Sequence, residues 1–158
     1  MNSKYAIVTI CNDSYIDYCS TMIYSFIKNN DWFTGDIIIC CDPEFVILSE
    51  ENRNKLKSLY GNIIMREVNK SDYDSLFNNF KNKDKKFFPS AYTYEVFEIE
   101  GYDSILYLDA DMLIIDDIKE LFEKPVKIGV VSLTLENYKQ WEINRLGLYN
   151  LGLILVNH

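Results

Sequence analysis

Residues 102–111 read Tyr-Asp-Ser-Ile-Leu-Tyr-Leu-Asp-Ala-Asp, and this stretch decides how the chain is interpreted. The apolar run at residues 105–108 predicts a strand buried on both faces, and it ends abruptly at two carboxylates, Asp109 and Asp111. In an extended chain, residues i and i+2 point the same way, so we expect the two carboxylates to converge at the carboxyl end of this strand. Open α/β sheets bind their ligands at that edge.

The Asp109–Asp111 pair has the chemistry of a cation site. Two carboxylates this close repel each other and raise each other's pKa unless a cation lies between them. Hard oxygen ligands with open coordination positions suit Mg²⁺ or Mn²⁺, with water and a diphosphate as the remaining ligands. The alternative is a polar strand end with both carboxylates in solvent, and the Asp-x-Asp spacing alone leaves that alternative open.

Apolar runs alternate with helical patterns along the rest of the chain. Helices are predicted from Tyr15 to about Asn29, from Pro43 to about Ser58, and from Tyr92 to Ile99. Further strands are predicted at residues 5–10, 37–41, 63–65, 128–133 and 151–156. This alternation predicts one α/β domain over residues 1–158, with a parallel or mostly parallel sheet and helices on both faces.

Composition and charge exclude several classes of partner. The chain has 158 residues, about one domain, and a net charge of −8. That charge disfavours nucleic acid and anionic membranes as partners, and a phosphate ligand would need a metal ion or a local basic patch. No apolar run approaches the roughly 20 residues of a transmembrane helix, and the N-terminus lacks the pattern of a signal peptide.

The four cysteines are predicted to be free, buried thiols. They are Cys11, Cys19, Cys40 and Cys41, which form no C-x-x-C pair of the kind found in zinc sites. Together with the missing signal peptide, this predicts a cytoplasmic protein.

Three segments together resemble the glycosyltransferases of family 8, which include glycogenin-like and bacterial lipopolysaccharide galactosyltransferase-like enzymes. Residues 6–15, AIVTICNDSY, are similar to the opening strand and nucleotide-binding turn of that family. Residues 102–111 are similar to its signature Y-D-x-(I/V)-L-Y-L-D-x-D, and residues 149–157, YNLGLILVN, to its N-x-G-(V/I)-x-L-x-N strand. The resemblance covers essentially the whole chain.

The resemblance implies a Rossmann-like GT-A fold and a metal-dependent transferase that uses a nucleotide-sugar donor, most often a UDP sugar. The metal, usually Mn²⁺, would be held by Asp109 and Asp111. Ala110 would face the ribose through its backbone, while Asn150 and Gly152 would lie near the donor sugar. The implied acceptor is a glycan or other hydroxyl compound, and transfer would retain the anomeric configuration. Association with a second copy of the chain stays open.

The nucleoside pocket is assigned to the first segment by the same resemblance. Thr9, Cys11 and Asn12 would line it, partly through backbone groups, and Tyr15 would stack on the base. A metal between protein and diphosphate also explains how an acidic chain could bind a polyanion, because the ion stabilises the charge that develops on the leaving group.

The chain departs from the family pattern at three places. The family's phosphate-binding Lys or Arg falls near Thr93, which is not cationic, and Lys85 or Lys86 could substitute for it. His158 lies outside the family's context for a third metal ligand, so we expect an exposed terminal residue there. The acidic and amide residues that usually follow the N-x-G strand are absent. Three alternatives stay open: the acceptor side is missing from this chain, the chain is a natural minimal enzyme, or another chain completes the site.

The polar stretch from Asn69 to Lys86 has two interpretations. It can be a solvated loop or short helix, or it can be a lid whose lysines meet phosphate. The lysines concerned are Lys81, Lys83, Lys85 and Lys86.

Other functions fit the sequence less well. A phosphatase of the haloacid-dehalogenase type would place Asp-x-Asp near the start of the chain, and a sugar nucleotidyltransferase would need a glycine-rich basic loop after the first strand. The main alternative is a domain that binds a nucleotide sugar without turnover, and metal-dependent hydrolysis of the donor would distinguish it from an enzyme.

Overall fold

The computed structural model describes residues 4–75, 88–132 and 149–158. Within these ranges, six strands form one sheet in the order β3-β2-β1-β4-β6-β5. They are β1 (Tyr5–Ile10), β2 (Asp36–Cys41), β3 (Ile63–Glu67), β4 (Ser104–Leu108), β5 (Ile128–Ser132) and β6 (Tyr149–Asn157).

The sheet is mostly parallel, as the alternation of strands and helices predicted. The pairs β1–β2, β2–β3 and β1–β4 are parallel. Strand β6 runs antiparallel to both β4 and β5, so it is the one described strand with the opposite direction. The carboxyl ends of β1 and β4 therefore share an edge with the amino end of β6, and we call this the ligand edge.

Helices and 3₁₀ turns lie between the strands of the described ranges. The described α-helices are α1 (Ile16–Asn29), α2 (Glu50–Lys57), α3 (Phe88–Ala91), α4 (Glu95–Glu98) and α5 (Lys119–Phe122), with 3₁₀ turns at Asp13–Tyr15, Lys70–Tyr73 and Tyr92–Tyr94. No helix in the described ranges is long and apolar enough to cross a membrane.

The core lies on both faces of the central strands. All five residues of β4 are buried, and so are the four central residues of β1. Burial of consecutive residues requires cover on both faces, because successive side chains of a strand point to opposite sides. From α1 the apolar stripe predicted from the sequence, including Cys19, Met22 and Phe26, packs into this core. All four cysteines are buried and free, which confirms that prediction.

The prediction of a helix from Pro43 is wrong, because α2 begins only at Glu50. The side chain of Asp42 accepts hydrogen bonds from the backbone N–H groups of Glu44, Phe45 and Val46 at 2.6, 2.8 and 2.9 Å. These bonds hold the chain in a local loop that competes with helix formation. The helix starts after Ser49, whose Oγ accepts from the N–H of Asn52 and acts as the N-cap.

The predicted helix from Tyr92 to Ile99 is broken into a 3₁₀ turn at Tyr92–Tyr94 and the single-turn helix α4. In the last predicted strands, β5 ends at Ser132, and Leu133 lies outside the described residues. The described part of the polar stretch contains a 3₁₀ turn, Lys70–Tyr73. The four lysines of the proposed lid lie outside the described residues.

Candidate active site at the ligand edge

Asp109 is fixed in place by its own backbone where β4 ends. Its N–H donates to the carbonyl of Gly152 on β6 at 2.9 Å, and its carbonyl accepts from the N–H of Met112 at 3.2 Å. The second bond closes a turn over Asp109–Met112. The expectation of an extended chain through Asp111 is therefore wrong: β4 ends at Leu108, and a turn presents the two carboxylates.

The two carboxylates sit in different environments. Asp109 is half-buried, and Asp111 is exposed. Burial raises the pKa of Asp109; a hydrogen bond from Tyr107 acts to lower it, and repulsion from Asp111 raises it further. A cation bound between the two carboxylates would relieve this repulsion.

The donor set at the turn fits a hard divalent cation. Within the described ranges no group of three or more His, Cys, Asp and Glu residues could hold a metal ion. A cation at this turn would therefore have at most the carboxylates of Asp109 and Asp111 as described ligands, with its other positions open. Tyr107 occupies Oδ1 of Asp109, and no described residue bonds to Oδ2 or to the carboxylate of Asp111. Two carboxylates with open positions are how Mg²⁺ and related ions are held next to phosphates.

His158 is far from this turn in the topology of the sheet. It follows the last residue of β6 at the opposite edge, where its N–H donates to the carbonyl of Asp103, just before β4. The residue is exposed, as the sequence predicted.

Within the first family-like segment, residues 6–15, the exposed residues lie after the end of β1. The side chains of Thr9 and Cys11 are buried, with 0% and 1% exposed, because β1 is covered on both faces. The structure therefore does not bring these two side chains to the surface of the site. Asn12 is half-buried and accepts from the N–H of Tyr15 at 3.1 Å, which caps the turn before α1.

Tyr15 is the first segment's accessible aromatic residue at this edge. It is 47% exposed, and its ring centroid lies 5.7 Å from that of Tyr18, which is 59% exposed. An exposed ring beside the ligand edge is available for stacking on a planar base.

The third segment meets Asp109 through an irregularity in β6. Val130 pairs with Ile154 but the next residue, Val131, pairs with Asn150, so β6 carries extra residues at this point. Gly152 lies in the irregular stretch, is buried, and supplies the carbonyl that binds Asp109. Asn150 precedes Gly152 by two residues, and its backbone lies on β6. Ala110 follows Asp109 and is buried in the turn.

Sequence reasoning missed Tyr107, which is 3% exposed and donates its O–H to Oδ1 of Asp109 at 2.9 Å. The signal was available, since Tyr107 precedes Asp109 by two residues at the end of a strand and so shares its face. Burial raises the pKa of Tyr107, and Thr93, at the place where the family resemblance puts a cation, acts to lower it. Lys85 and Lys86 lie outside the described residues.

A buried ion pair near the ends of β2 and β3 was also missed. Arg66 Nε lies 2.6 Å from Oε2 of Glu95, and the hydroxyl of Tyr73 donates to Oε1 at 2.6 Å. These residues line a cavity of about 350 Å³ together with Asp72, Ser75, Tyr94 and Glu98. No sequence pattern linked Arg66 to Glu95, because the two are 29 positions apart.

Solved structures share this architecture. The galactosyltransferase LgtC, in complex with donor and acceptor sugar analogs, matches with a TM-score of 0.75 and 21% identity over 96% of this chain and 57% of LgtC. The glycosyltransferase GlyE of Streptococcus pneumoniae TIGR4 in its apo form matches with a TM-score of 0.69 and 17% identity, over 98% of this chain and 34% of GlyE.

A third structure extends the likeness to a fungal enzyme. Core-mannan synthase A of Aspergillus fumigatus, in an Mn/GDP form, matches with a TM-score of 0.60 and 10% identity, over 83% of this chain and 42% of the synthase. At these identities the likeness shows the fold, which is the GT-A fold that the sequence predicted. The chain spans little more than half the length of LgtC.

The sequence itself gives the family. No curated protein sequence matches the chain. Residues 6–152, however, match the family described as glycosyl transferase family 8, and this range contains the end of β1, the Asp109 turn and Gly152. The chain belongs to glycosyl transferase family 8.

Proposed function

We propose that this protein is a metal-dependent glycosyltransferase that moves a sugar from a UDP-sugar donor to a hydroxyl group of a glycan or similar acceptor, with retention of configuration. The observation that carries the proposal is the half-buried Asp109 beside Asp111 in a turn at the ligand edge. Family membership supports the reaction class. Mn²⁺ or Mg²⁺ is the ion that this pair of oxygen ligands favours.

In this proposal Asp109 and Asp111 hold the ion, which supplies Lewis-acid stabilisation of the departing diphosphate when it is bound. The chain's own part is to fix the geometry. Because Gly152 and Met112 bind the backbone of Asp109, its carboxylate is oriented before the donor arrives, and no reorganisation is needed at the moment of reaction.

The remaining assignments place the donor along the edge from β1 to β6. Tyr15 stacks on the base. Asn12 binds the base through its side-chain NH₂ group, since the side-chain oxygen is the atom that caps the turn before α1. Ala110 contacts the ribose through its backbone, and Asn150 and Gly152 lie against the transferred sugar. Thr9 and Cys11, whose side chains are buried, contribute through their backbone.

A nucleotide-sugar-binding domain without turnover is the second candidate. It is favoured by Thr93, which is not cationic and stands where the family resemblance puts a phosphate-binding Lys or Arg. Hydrolysis of a UDP hexose that depends on Mn²⁺ would support the enzyme, and tight binding without any hydrolysis would support the binding domain. For either candidate, four free buried cysteines are compatible with the cytoplasmic location that we propose.

The test is calorimetric titration of UDP with and without Mn²⁺ in the wild type and Asp109→Asn. We expect Mn²⁺ to strengthen UDP binding in the wild type and to have no effect in the variant. Asp103→Asn is the control, because Asp103 is an exposed carboxylate at the opposite edge of the sheet that accepts from the N–H of Lys4. Equal Mn²⁺-dependent UDP binding in wild type and Asp109→Asn would refute the metal site.

A further inference from the structure

We propose that Tyr107 is a positioning residue that restricts Asp109 to binding its cation through one oxygen, Oδ2, and thereby selects Mn²⁺ or Mg²⁺ over Ca²⁺. This inference rests on the proposed function, because it assumes that Asp109 is a metal ligand. It concerns the metal preference of the site.

The phenol of Tyr107 is held rigidly. Tyr107 pairs with Val8 of β1 on one side and with Ile154 of β6 on the other, and only 3% of the residue is exposed. Its O–H donates to Oδ1 of Asp109 at 2.9 Å. A buried side chain on a central strand cannot swing away without disturbing the core, so this bond persists when a ligand binds.

Asp109 is consequently tied at three points. Its N–H binds Gly152, its carbonyl binds Met112, and its Oδ1 binds Tyr107. Its Oδ2 has no partner among the described residues. The carboxylate therefore presents one free oxygen toward a cation.

Binding through one carboxylate oxygen favours a small divalent cation over Ca²⁺. Mg²⁺ demands near-octahedral geometry with short bonds and is bound through one or two carboxylates plus water and phosphate. Ca²⁺ is larger, takes six to eight oxygens, and commonly uses both oxygens of a carboxylate. With Oδ1 engaged by Tyr107, Asp109 offers Ca²⁺ one oxygen instead of the two that Ca²⁺ commonly uses.

Thr93 is a second member of the same arrangement. Burial raises the pKa of Tyr107, and the Thr93 side chain acts to lower it, which favours the phenol as a donor to Asp109. Neighbouring polar groups strengthen each other in this way, so losing Thr93 should weaken the bond to Asp109 without removing it.

The experiment compares Mn²⁺ and Ca²⁺ affinities by calorimetry in the wild type, Tyr107→Phe and Tyr102→Phe. Tyr102 is the matched control, since its O–H donates to Oδ2 of Asp36 at 2.6 Å at the opposite edge of the sheet. For Tyr107→Phe we expect Mn²⁺ affinity to fall by roughly 10-fold or more, as is typical when an outer-shell partner is lost. Ca²⁺ affinity should fall less or rise, because both oxygens of Asp109 become free.

In Tyr102→Phe both affinities should remain at the wild-type value. An unchanged Mn²⁺ affinity and Mn²⁺/Ca²⁺ ratio in Tyr107→Phe would overturn the inference. If that variant fails to fold, Thr93→Val serves instead, and we expect a smaller shift of the ratio in the same direction; an unshifted ratio there would count against the inference.

Asp109→Asn distinguishes a failure of the Tyr107 positioning role from a failure of the metal site. Loss of Mn²⁺ binding in Asp109→Asn with no effect of Tyr107→Phe would reject the positioning role while leaving the metal site intact. Retention of wild-type Mn²⁺ affinity in Asp109→Asn would reject the metal site and the positioning role together.

Discussion

Glu95 and Arg66 form an ion pair of 2.6 Å in which the carboxylate side chain is 7% exposed and the guanidinium side chain 38%. The pair joins α4 to the end of β3, and Tyr73 completes the shell of the carboxylate through its hydroxyl. Burying Glu95 as an anion is tolerated only because both of its oxygens have partners.

Arg66→Met should therefore destabilise the fold. It leaves the Glu95 carboxylate buried with Tyr73 alone, and we expect a loss of about 2–3 kcal/mol, below the range for fully buried pairs because Arg66 is partly exposed. Urea denaturation measures this. Lys55→Met is the matched control, since it removes the exposed ion pair to Asp17 at 2.8 Å and should cost less than about 1 kcal/mol. Equal losses in the two variants would contradict the structural role of Arg66.

Tyr15→Ala should weaken UDP binding in the presence of Mn²⁺. Stacking of a base on an aromatic ring is worth about 1–3 kcal/mol, which corresponds to a loss of affinity of roughly 5- to 150-fold. The control is Tyr18→Ala, because Tyr18 is the adjacent and more exposed ring and lies further along α1. Its UDP affinity should stay within about twofold of the wild type. Should calorimetry show the larger loss in Tyr18→Ala, the base would have been assigned to the wrong ring.

Gly35→Ala should be strongly destabilising, because a Cβ at that position would overlap the carbonyl oxygen of Tyr5 at the start of β1. Backbone cannot move aside as a flexible side chain can, so we expect a loss of about 1–3 kcal/mol or more. Gly61→Ala is the comparison: no atom lies within 4 Å of its added Cβ, and its stability should change by less than about 1 kcal/mol. Similar unfolding midpoints for the two variants would show that β1 and Gly35 are not in such close contact.

The four thiols should resist modification in the native protein at pH 8. Burial raises the pKa of Cys40 to about 12 and also raises the pKa of Cys41. Because the thiolate is the reactive form, a group titrating near 12 stays protonated at pH 8 and at pH 9. A disulfide reagent should find four reactive thiols only after unfolding. Rapid reaction of any thiol in the folded protein at pH 8 would contradict this burial.

The fold could be predicted because its strands are short apolar runs with clear ends. β1, β2 and β4 lie within one residue of their predicted positions, since each is an apolar run buried on both faces with no charged residue in its interior. The start of α2 could not be predicted in the same way. Whether Asp42 caps a helix or folds back on three N–H groups depends on tertiary contacts that the local sequence does not encode.

The location of the candidate site could be predicted from the sequence, but part of its geometry could not. Its location followed from two carboxylates at the end of a buried strand, and the family match is consistent with it. The turn over Asp109–Met112 and the bond to Gly152 were not predictable, because they depend on tertiary contacts and on the register of β6, whereas the spacing of Tyr107 and Asp109 did indicate that these two side chains share a face. The roles assigned to the site residues, Asp109 and Asp111 included, stay predictions.

The bond between Asp109 and the Gly152 carbonyl has a consequence for synthesis on the ribosome. The two residues are 43 positions apart, and β6, which supplies the carbonyl, is inserted between β4 and β5. Because a domain generally folds as a unit, the sheet is completed only after β6 has emerged. The carboxylate of Asp109 would then acquire its fixed orientation only when β6 docks, so a nascent chain still short of β6 would lack this part of the candidate site.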